Sequence, residues 1–455
     1  MESSQAASMV YKLNDKPPVL VTGLVAIQHL LAVFGGILTA PLIIALGMGL
    51  SVEQTSYLIS SALVVSGFAT AIQILRAGPL PGDMYIGSGL LSIQGTSFAF
   101  IGPLIFSYQT LVTGMDPDTA LGMIFGSCAV CALVMMVISQ FIGHLRKIVT
   151  SNVTGATIIL LGISLIVVTL QNLQREYQSA GDEGWMVILL AGAVFAVILL
   201  VSRSNNTWLR LCSISIGLLL GLVLSFMFGA VDLTVLDRID TLFLPVPWHQ
   251  PLAVDWPTVL LLMPIFLVSA AESIGDFTAT SDLSGVPVGD DAFWQRIKGG
   301  VLADALNSFV AAIFCTFPNT TFSQNNGVIR LTGVCSRYVG FYIAGLLVLV
   351  GIFPIIGGIF QAIPGAVIYG ATLLMFGMVA LAGVSLVKAQ PPTTRDWGVV
   401  AIAIACGYGT SIIAPGLGDI LPASVINVIA FPVSTGALFA VILELLIPKS
   451  RNESA

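Results

Sequence analysis

The sequence predicts an all-α polytopic membrane protein with 14 transmembrane segments in two inverted seven-span repeats, short β-like stretches breaking spans 3 and 10. Three observations carry this expectation. The chain is 56% hydrophobic and 9% charged, with a mean hydropathy of +0.98, a composition that soluble domains do not sustain over 455 residues. Apolar runs of about 20 residues recur between charged or Pro/Gly-rich links. Short motifs of the first half return, in the same order, about 215 residues later.

The first-half runs lie near 19–46, 54–75, 95–114, 119–142, 148–171, 185–202 and 209–230. Those of the second lie near 256–276, 300–317, 324–334, 338–362, 364–387, 396–415 and 430–447. The first run is long enough for two spans, or for one with a re-entrant end. Met1 to Lys16 is polar and carries no apolar core with a small-residue cleavage site, so the first run is expected to be retained. If the N-terminus is cytoplasmic, Lys12, Lys16, Arg76, Arg146, Lys147, Arg203, Arg210, Arg296, Lys298, Arg337, Lys388, Arg395, Lys449 and Arg451 fall inside. Arg175 and Arg238 fall outside, among acidic residues; an even number of spans with both termini cytoplasmic therefore satisfies the positive-inside rule. The net charge of −6 is confined to loops, and no basic patch suits nucleic acid. Cys128 and Cys131 lie within an apolar run and read as small packing residues rather than a redox pair.

The repeat is read from short matches. Gly155-Ala156-Thr157 followed by Gly162 returns as Gly370-Ala371-Thr372 followed by Gly377, with Ile148 answered by Ile363. Trp185-x-Val187 is answered by Trp397-x-Val399, and Ser215-x-Gly217 by Ser434-x-Gly436. Spans 5, 6 and 7 thus pair with 12, 13 and 14. An odd number of spans per half makes the second enter the bilayer from the opposite side, the plan of secondary transporters with a site near the midplane.

The two breaks follow from polarity. Pro318-Asn319-Thr320-Thr321-Phe322-Ser323-Gln324-Asn325-Asn326-Gly327 carries amides and hydroxyls between long apolar runs, and non-helical backbone at membrane depth is tolerated only inside protein or beside a wet cavity. Pro318, Thr320 and Thr321 favour an extended entry, and Ser323 or Asn325 is expected to cap a short helix starting near Asn326. The N–H groups at that helix start favour acceptor atoms, and Gln324 offers a two-point bond to the edge of a planar heterocycle. The first-half counterpart is Gly87-Ser88-Gly89-Leu90-Leu91-Ser92-Ile93-Gln94-Gly95-Thr96-Ser97-Phe98. Phe98 supplies either a stacking face for a flat ring or ordinary apolar filling.

Charges within apolar runs are the remaining candidates. Glu272 and Asp276 lie four apart on one helix face, and two such carboxyls are expected to hold at least one proton near neutral pH, which suits proton coupling. Asp276 either serves that purpose or caps the loop after its helix. Asp304 either belongs to the same chemistry or complements a helix dipole in the first turns of its span. His29 either bonds across to the second break or packs. Glu444 is expected to snorkel near Lys449.

These residues resemble a known family. Gln324-Asn325-Asn326-Gly327-Val328-Ile329-Arg330-Leu331-Thr332-Gly333 resembles the signature of the nucleobase–ascorbate transporter family, a Gln or Glu followed by Asn-x-Gly and, five residues on, Thr. Ser88 to Gln94, Glu272-Ser273-Ile274-Gly275-Asp276 and Ser336-Arg337-Tyr338-Val339-Gly340 are similar to the bacterial xanthine permeases within it. The resemblance implies a core of spans 1–4 and 8–11 (19–142 and 256–362) and a gate of spans 5–7 and 12–14 (143–230 and 363–447). It further implies a periplasmic connection at 231–255, cytoplasmic tails at 1–18 and 448–455, a homodimer in a bacterial inner membrane, and proton symport of xanthine by an elevator-like movement without a cofactor. Carried over by position, Glu272 and Gln324 hold the purine, Phe98 stacks on it, and the Phe322–Ser323 backbone assists. Asp276, Asp304, His29 and Asn325 match supporting positions, and Ser97 stands where some xanthine permeases have Asn. The Leu80-Pro81-Gly82-Asp83-Met84-Tyr85 segment reads as an insertion. An anion transporter of the same architecture is the competing reading, opposed by the Glu272–Asp276 pair.

Overall fold

A computed structural model describes residues 9–80, 84–142, 150–239, 241–388, 392–417, 420–421 and 423–447. Pro81, Gly82 and Asp83 of the insertion, Arg146, Lys147, Ile148, Asp240, Lys449 and Arg451 lie outside the described residues. In chain order the first half contains α1 (Val19–Met48), α2 (Val52–Leu75), a hairpin of β1 (Ala77–Leu80) and β2 (Met84–Ile86), and β3 (Gln94–Thr96). It continues with a 3-10 turn Phe98–Phe100 leading into α3 (Ile101–Leu111), then α4 (Pro117–Ser139), α5 (Ser151–Ser179), α6 (Gly184–Ser202) and α7 (Ser213–Met227). The second half contains α8 (Trp256–Leu283), α9 (Asp291–Ile313), β4 (Asn319–Thr321), α10 (Gln324–Thr332), α11 (Arg337–Ile352), α12 (Gly365–Val387), α13 (Thr394–Ile413) and α14 (Pro432–Leu446).

Among the described residues, eight helices are long and apolar enough to cross a membrane. A ninth span arises if α11 and the following helix Ile355–Gln361, bent by 71°, are counted together. Phe98–Leu111, Ser213–Met227 and Pro432–Leu446 are shorter apolar helices. The protein is therefore multi-pass, with most of its mass in helices whose hydrogen bonds close within the segment.

Three boundaries differ from the sequence reading. The first apolar run is one continuous helix of 30 residues, which accommodates Pro41 without a re-entrant turn. α8 continues to Leu283, so Asp276 sits two turns inside it and caps no loop. α9 begins at Asp291, capped by Asp290, whose carboxylate accepts from Phe293 N at 2.7 Å. Asp304 is consequently mid-helix, beyond the turn over which a helix dipole acts.

Helices pack closely where glycine removes the side chain. A Cβ on Gly155 of α5 would lie 2.9 Å from the Gly383 carbonyl oxygen of α12, and a Cβ on Gly383 would lie 2.7 Å from that of Gly155. Van der Waals contact between backbones replaces the hydrophobic drive that lipid cannot supply. Ser215 of α7 donates to the Leu31 carbonyl of α1 at 3.0 Å, and Ser434 of α14 donates to the Leu261 carbonyl of α8 at 3.2 Å. Glu444 does not snorkel: it is buried, 3.3 Å from Arg395 Nη1 and 3.2 Å from Asn152 Nδ2, which also reaches Asp396 at 2.6 Å. Buried charge is tolerated here because it is paired and hydrogen-bonded.

Candidate functional site

The two breaks meet. β3 and β4 pair antiparallel, Gln94 opposite Thr321, Gly95 opposite Thr320 and Thr96 opposite Asn319. Ser97 N donates to Pro318 O at 2.9 Å and Phe322 N to Ile93 O at 3.0 Å, extending the ladder one residue beyond each end. The extended segments satisfy one another's backbone groups, so the chain can leave helical geometry inside the protein. Each strand then feeds a helix.

The helix starts differ. After β3, the buried Ser97 hydroxyl accepts from Ala99 N at 3.3 Å. After β4, α10 begins at Gln324, two residues earlier than expected, and Ser323 takes helical φ/ψ without a capping bond. Asn325 is no cap either: its side-chain amide donates to the Leu91 carbonyl. Among the described residues, Ser323 N and Gln324 N have no acceptor, Ser323 is exposed and Gln324 is half-buried.

Phe98 and Phe322 divide their roles. Phe322 is 3% exposed, its ring lying where a Cβ on Gly36 would come within 2.8 Å and one on Gly95 within 2.7 Å. Phe98 is partly accessible, with ring centroids 5.9 Å from Phe322 and 6.0 Å from Phe376 of α12. Phe322 is therefore a wedge behind the site, and Phe98 is the ring with a free face.

α8 brings the carboxyls. Ser269 and Ser273 lie 3.2 and 3.3 Å from the Thr320 hydroxyl, seating this helix face on β4. One turn on, Asp276 Oδ1 accepts from Asn326 Nδ2 at 2.8 Å, and Thr280 donates to Asn326 Oδ1 at 2.8 Å. Glu272, one turn before Asp276 on this face, is half-buried and has no hydrogen bond or ion pair among the described residues. Its carboxyl is an open acceptor one turn from Asp276, the residue that bonds Asn326 of α10.

Behind the strands lies a polar cluster that sequence reading passed over. Asp304 Oδ1 accepts from Gln73 Nε2 at 2.8 Å and, with the amide oriented to satisfy both its atoms, from Gln94 Nε2 at 3.0 Å. Gln94 Nε2 also reaches the Thr320 carbonyl at 3.3 Å, and Gln73 Oε1 accepts from Ser88 N at 3.0 Å. Asp304 thus ties α2, α9 and both strands together from a buried position. The signal was available: Gln73 is a fully buried amide inside an apolar helix. His29 is fully buried on α1, its ring against Asn325, with neither nitrogen in a well-formed hydrogen bond.

A family model described as "Permease family" matches residues 21–415. Over 454 residues the chain is 40% identical to the xanthine permease XanP of Escherichia coli, covering 99% of this chain and 96% of that protein. The chain belongs to this family, that of the nucleobase–ascorbate transporters. It is a permease rather than an enzyme. The xanthine permease XanQ of E. coli is 35% identical over 97% of this chain and 94% of its own. The uric acid-xanthine permease of Emericella nidulans is 32% identical over 93% and 78%. Two solved structures share the fold. The transmembrane domain of the cyanobacterial bicarbonate transporter BicA aligns with a TM-score of 0.58 at 15% identity, covering 95% of this chain and 99% of that one. Murine Solute Carrier 26 family member A9, an anion transporter, aligns with a TM-score of 0.62 at 11% identity, covering 95% and 69%.

Proposed function

We propose that this permease is a proton-coupled symporter that imports xanthine across a bacterial inner membrane by an elevator-type movement of a core against a gate. Glu272 and Gln324 hold the edge of the purine, Phe98 stacks on its face, and the Ser323 and Gln324 N–H groups receive its carbonyl oxygens. The carrying observation is that the unpartnered Glu272 carboxyl lies on the same helix face as Asp276, which is itself bonded to α10 two residues after Gln324. Xanthine is planar and has alternating N–H and C=O edges, and a site that pairs such edges rejects analogues lacking a partner more strongly than one that tests size. Hypoxanthine and uracil are expected to bind poorly. Asp276 carries or controls the coupling proton, while Asp304, His29, Asn325 and Ser97 hold the geometry. No cofactor is required, and the protein is expected to work as a homodimer with both termini cytoplasmic.

Fourteen crossings in two inverted repeats support that movement. In this reading the eight long helices, the bent pair, the three short apolar helices, α9 and α10 are taken as the fourteen. Three packing pairs have a partner seven elements away: α2 with α11 answers α9 with α4, α7 with α6 answers α14 with α13, and α1 with α11 answers α8 with α4. Residues 19–142 and 256–362 form the core, 143–230 and 363–447 the gate, and 231–255 the connection.

Uptake of radiolabelled xanthine by purified protein in liposomes tests the reading. Accumulation against a gradient, abolished by a protonophore, is expected; uptake indifferent to protons removes the symport claim. Urate is the second candidate, supported by the name of the fungal relative, and competition by unlabelled urate separates the two.

A further inference from the structure

A second polar cluster lies where three helices end on one side of the protein. Arg76 follows α2, Arg296 lies in the second turn of α9, and Arg337 opens α11. Arg296 lies within electrostatic range of both Arg76 and Arg337. Among the described residues none of the three pairs with a carboxylate. The Asp15 carboxylate, on the N-terminal segment that runs beside Arg337, accepts instead from Lys12 N at 2.7 Å.

Three like charges in one neighbourhood, with no carboxylate partner among the described residues, repel one another, so the fold must impose their approach. The hairpin of the sequence insertion does so. Tyr85 of β2 lies under the Arg76 guanidinium, 4.6 Å from ring centroid to Cζ, and Gly87 N donates to Gly299 O of α9 at 2.9 Å. Gly89, at φ +69°, lets the loop pass so closely that a Cβ would lie 3.1 Å from the Arg76 side chain and 3.2 Å from Arg296 Nη1. Arg296 Nη1 donates to the Ser88 carbonyl, and Tyr338 supports Arg337 at 5.7 Å. The buried Nε atoms of Arg76 and Arg337 have no acceptor. An unmade bond at a buried donor is costly, and guanidinium presents its donors in a fork suited to phosphate oxygens.

Tyr85 also lines a cleft of about 310 Å³ with Trp294, Gln295, Lys298 and Asp291. Tyr85, which lies under Arg76, is the residue that joins this space to the arginine cluster.

We propose that Arg76, Arg296 and Arg337 form a phosphate-binding site, filled by the headgroup of an anionic phospholipid or by free inorganic phosphate. The hairpin is the part that assembles it. The site lies at the end of α2, an apolar helix long enough to cross a membrane, and at the start of α11, the first helix of the bent apolar pair.

Native mass spectrometry and thermal unfolding of the purified full chain in detergent test this, with phosphatidylglycerol, phosphatidylcholine or inorganic phosphate added. Arg296→Gln and Arg337→Gln are expected to weaken the anionic ligand about tenfold, the scale of a lost charge-assisted bond. Arg210→Gln, at an exposed arginine elsewhere, is expected to bind as wild type. Arg296→Lys keeps the charge, loses the fork, and is expected to fall between; it carries the measurement if the Gln variants do not fold. Phosphatidylglycerol adducts without stabilisation by inorganic phosphate identify a lipid site, and saturable stabilisation by phosphate alone identifies a free-anion site. If neither ligand distinguishes wild type from Arg296→Gln, Arg337→Gln and Arg296→Lys, the proposal is overturned.

Discussion

The two breaks occupy equivalent places and share a strand ladder, yet they differ in what they leave open. After β3 the turn is closed: Ser97 is buried and its hydroxyl caps the helix. After β4 the turn is open: Ser323 is exposed, makes no cap, and leaves two N–H groups unbonded. The side chains divide in the same way, with a partly accessible ring from the first break and a half-buried amide from the second. The shared strand ladder joins the two breaks, and under the proposed function the differences between them supply the chemistry. A pocket for a flat, polar-edged solute needs one apolar face and one polar edge, so identical breaks would serve it poorly.

The sharpest way to break this division is to compare Glu272→Gln with Ser97→Ala. Removing the open carboxyl's charge is expected to reduce xanthine uptake at least about a hundredfold, because the charged hydrogen bond to the purine is lost and the carboxyl pair with Asp276 is broken. Ser97→Ala is expected to cost about 1 kcal/mol of stability through the lost cap and to change KM far less than Glu272→Gln changes uptake. Uptake and thermal unfolding, measured on both variants, check this. Normal uptake by Glu272→Gln would place the site elsewhere.

Next in size is the wedge between the breaks. Gly95→Ala sets a methyl group against the Phe322 ring, and overpacking of this kind costs roughly 1–3 kcal/mol. Phe322→Leu in the same chain is expected to restore part of the lost stability. Unfolding measurements on the single and double variants test it, and strict additivity would remove the wedge from the account.

Gln324→Ala is expected to raise KM about tenfold with a smaller change in kcat, the loss of one polar edge. A change confined to kcat would instead assign Gln324 to the movement of the core.

Much of this was legible in the residues because polar groups in apolar runs need a destination. The two breaks followed from the amides and hydroxyls of 318–327 and their first-half counterpart, and the burial of His29 from its apolar surroundings; for Asp276 the residues allowed either coupling or a loop cap, and only the length of α8 excludes the cap. What escaped reading depended on element ends and on distant partners. Asp304 was placed too near a helix start because α9 opens with the charged turn Asp291 to Lys298, which an apolar window excludes. Glu444 was assigned to the surface because its partners, Asn152 and Arg395, lie on α5 and α13 and no local pattern joins them. Gln73 and Gln94 converge on one carboxyl only after α2, α9 and β3 pack.

The smallest expected effect tests the symmetry itself. Ser215 and Ser434 occupy matching repeat positions, and each donates to a backbone carbonyl on the opening helix of its own half, Leu31 on α1 and Leu261 on α8. Hydrogen bonds between membrane helices contribute about 0.6 kcal/mol on average. Ser215→Ala and Ser434→Ala are therefore expected to lower stability by similar small amounts, and the double variant by their sum, since the sites lie in different halves. The bonds also join elements assigned to the gate to elements assigned to the core, so they must break or slide if the core moves. Ser215→Ala and Ser434→Ala should then change uptake rate in the same direction, at unchanged KM. Opposite signs would mean that the two halves do not move as equivalents, and a repeat of sequence would not be a repeat of mechanism.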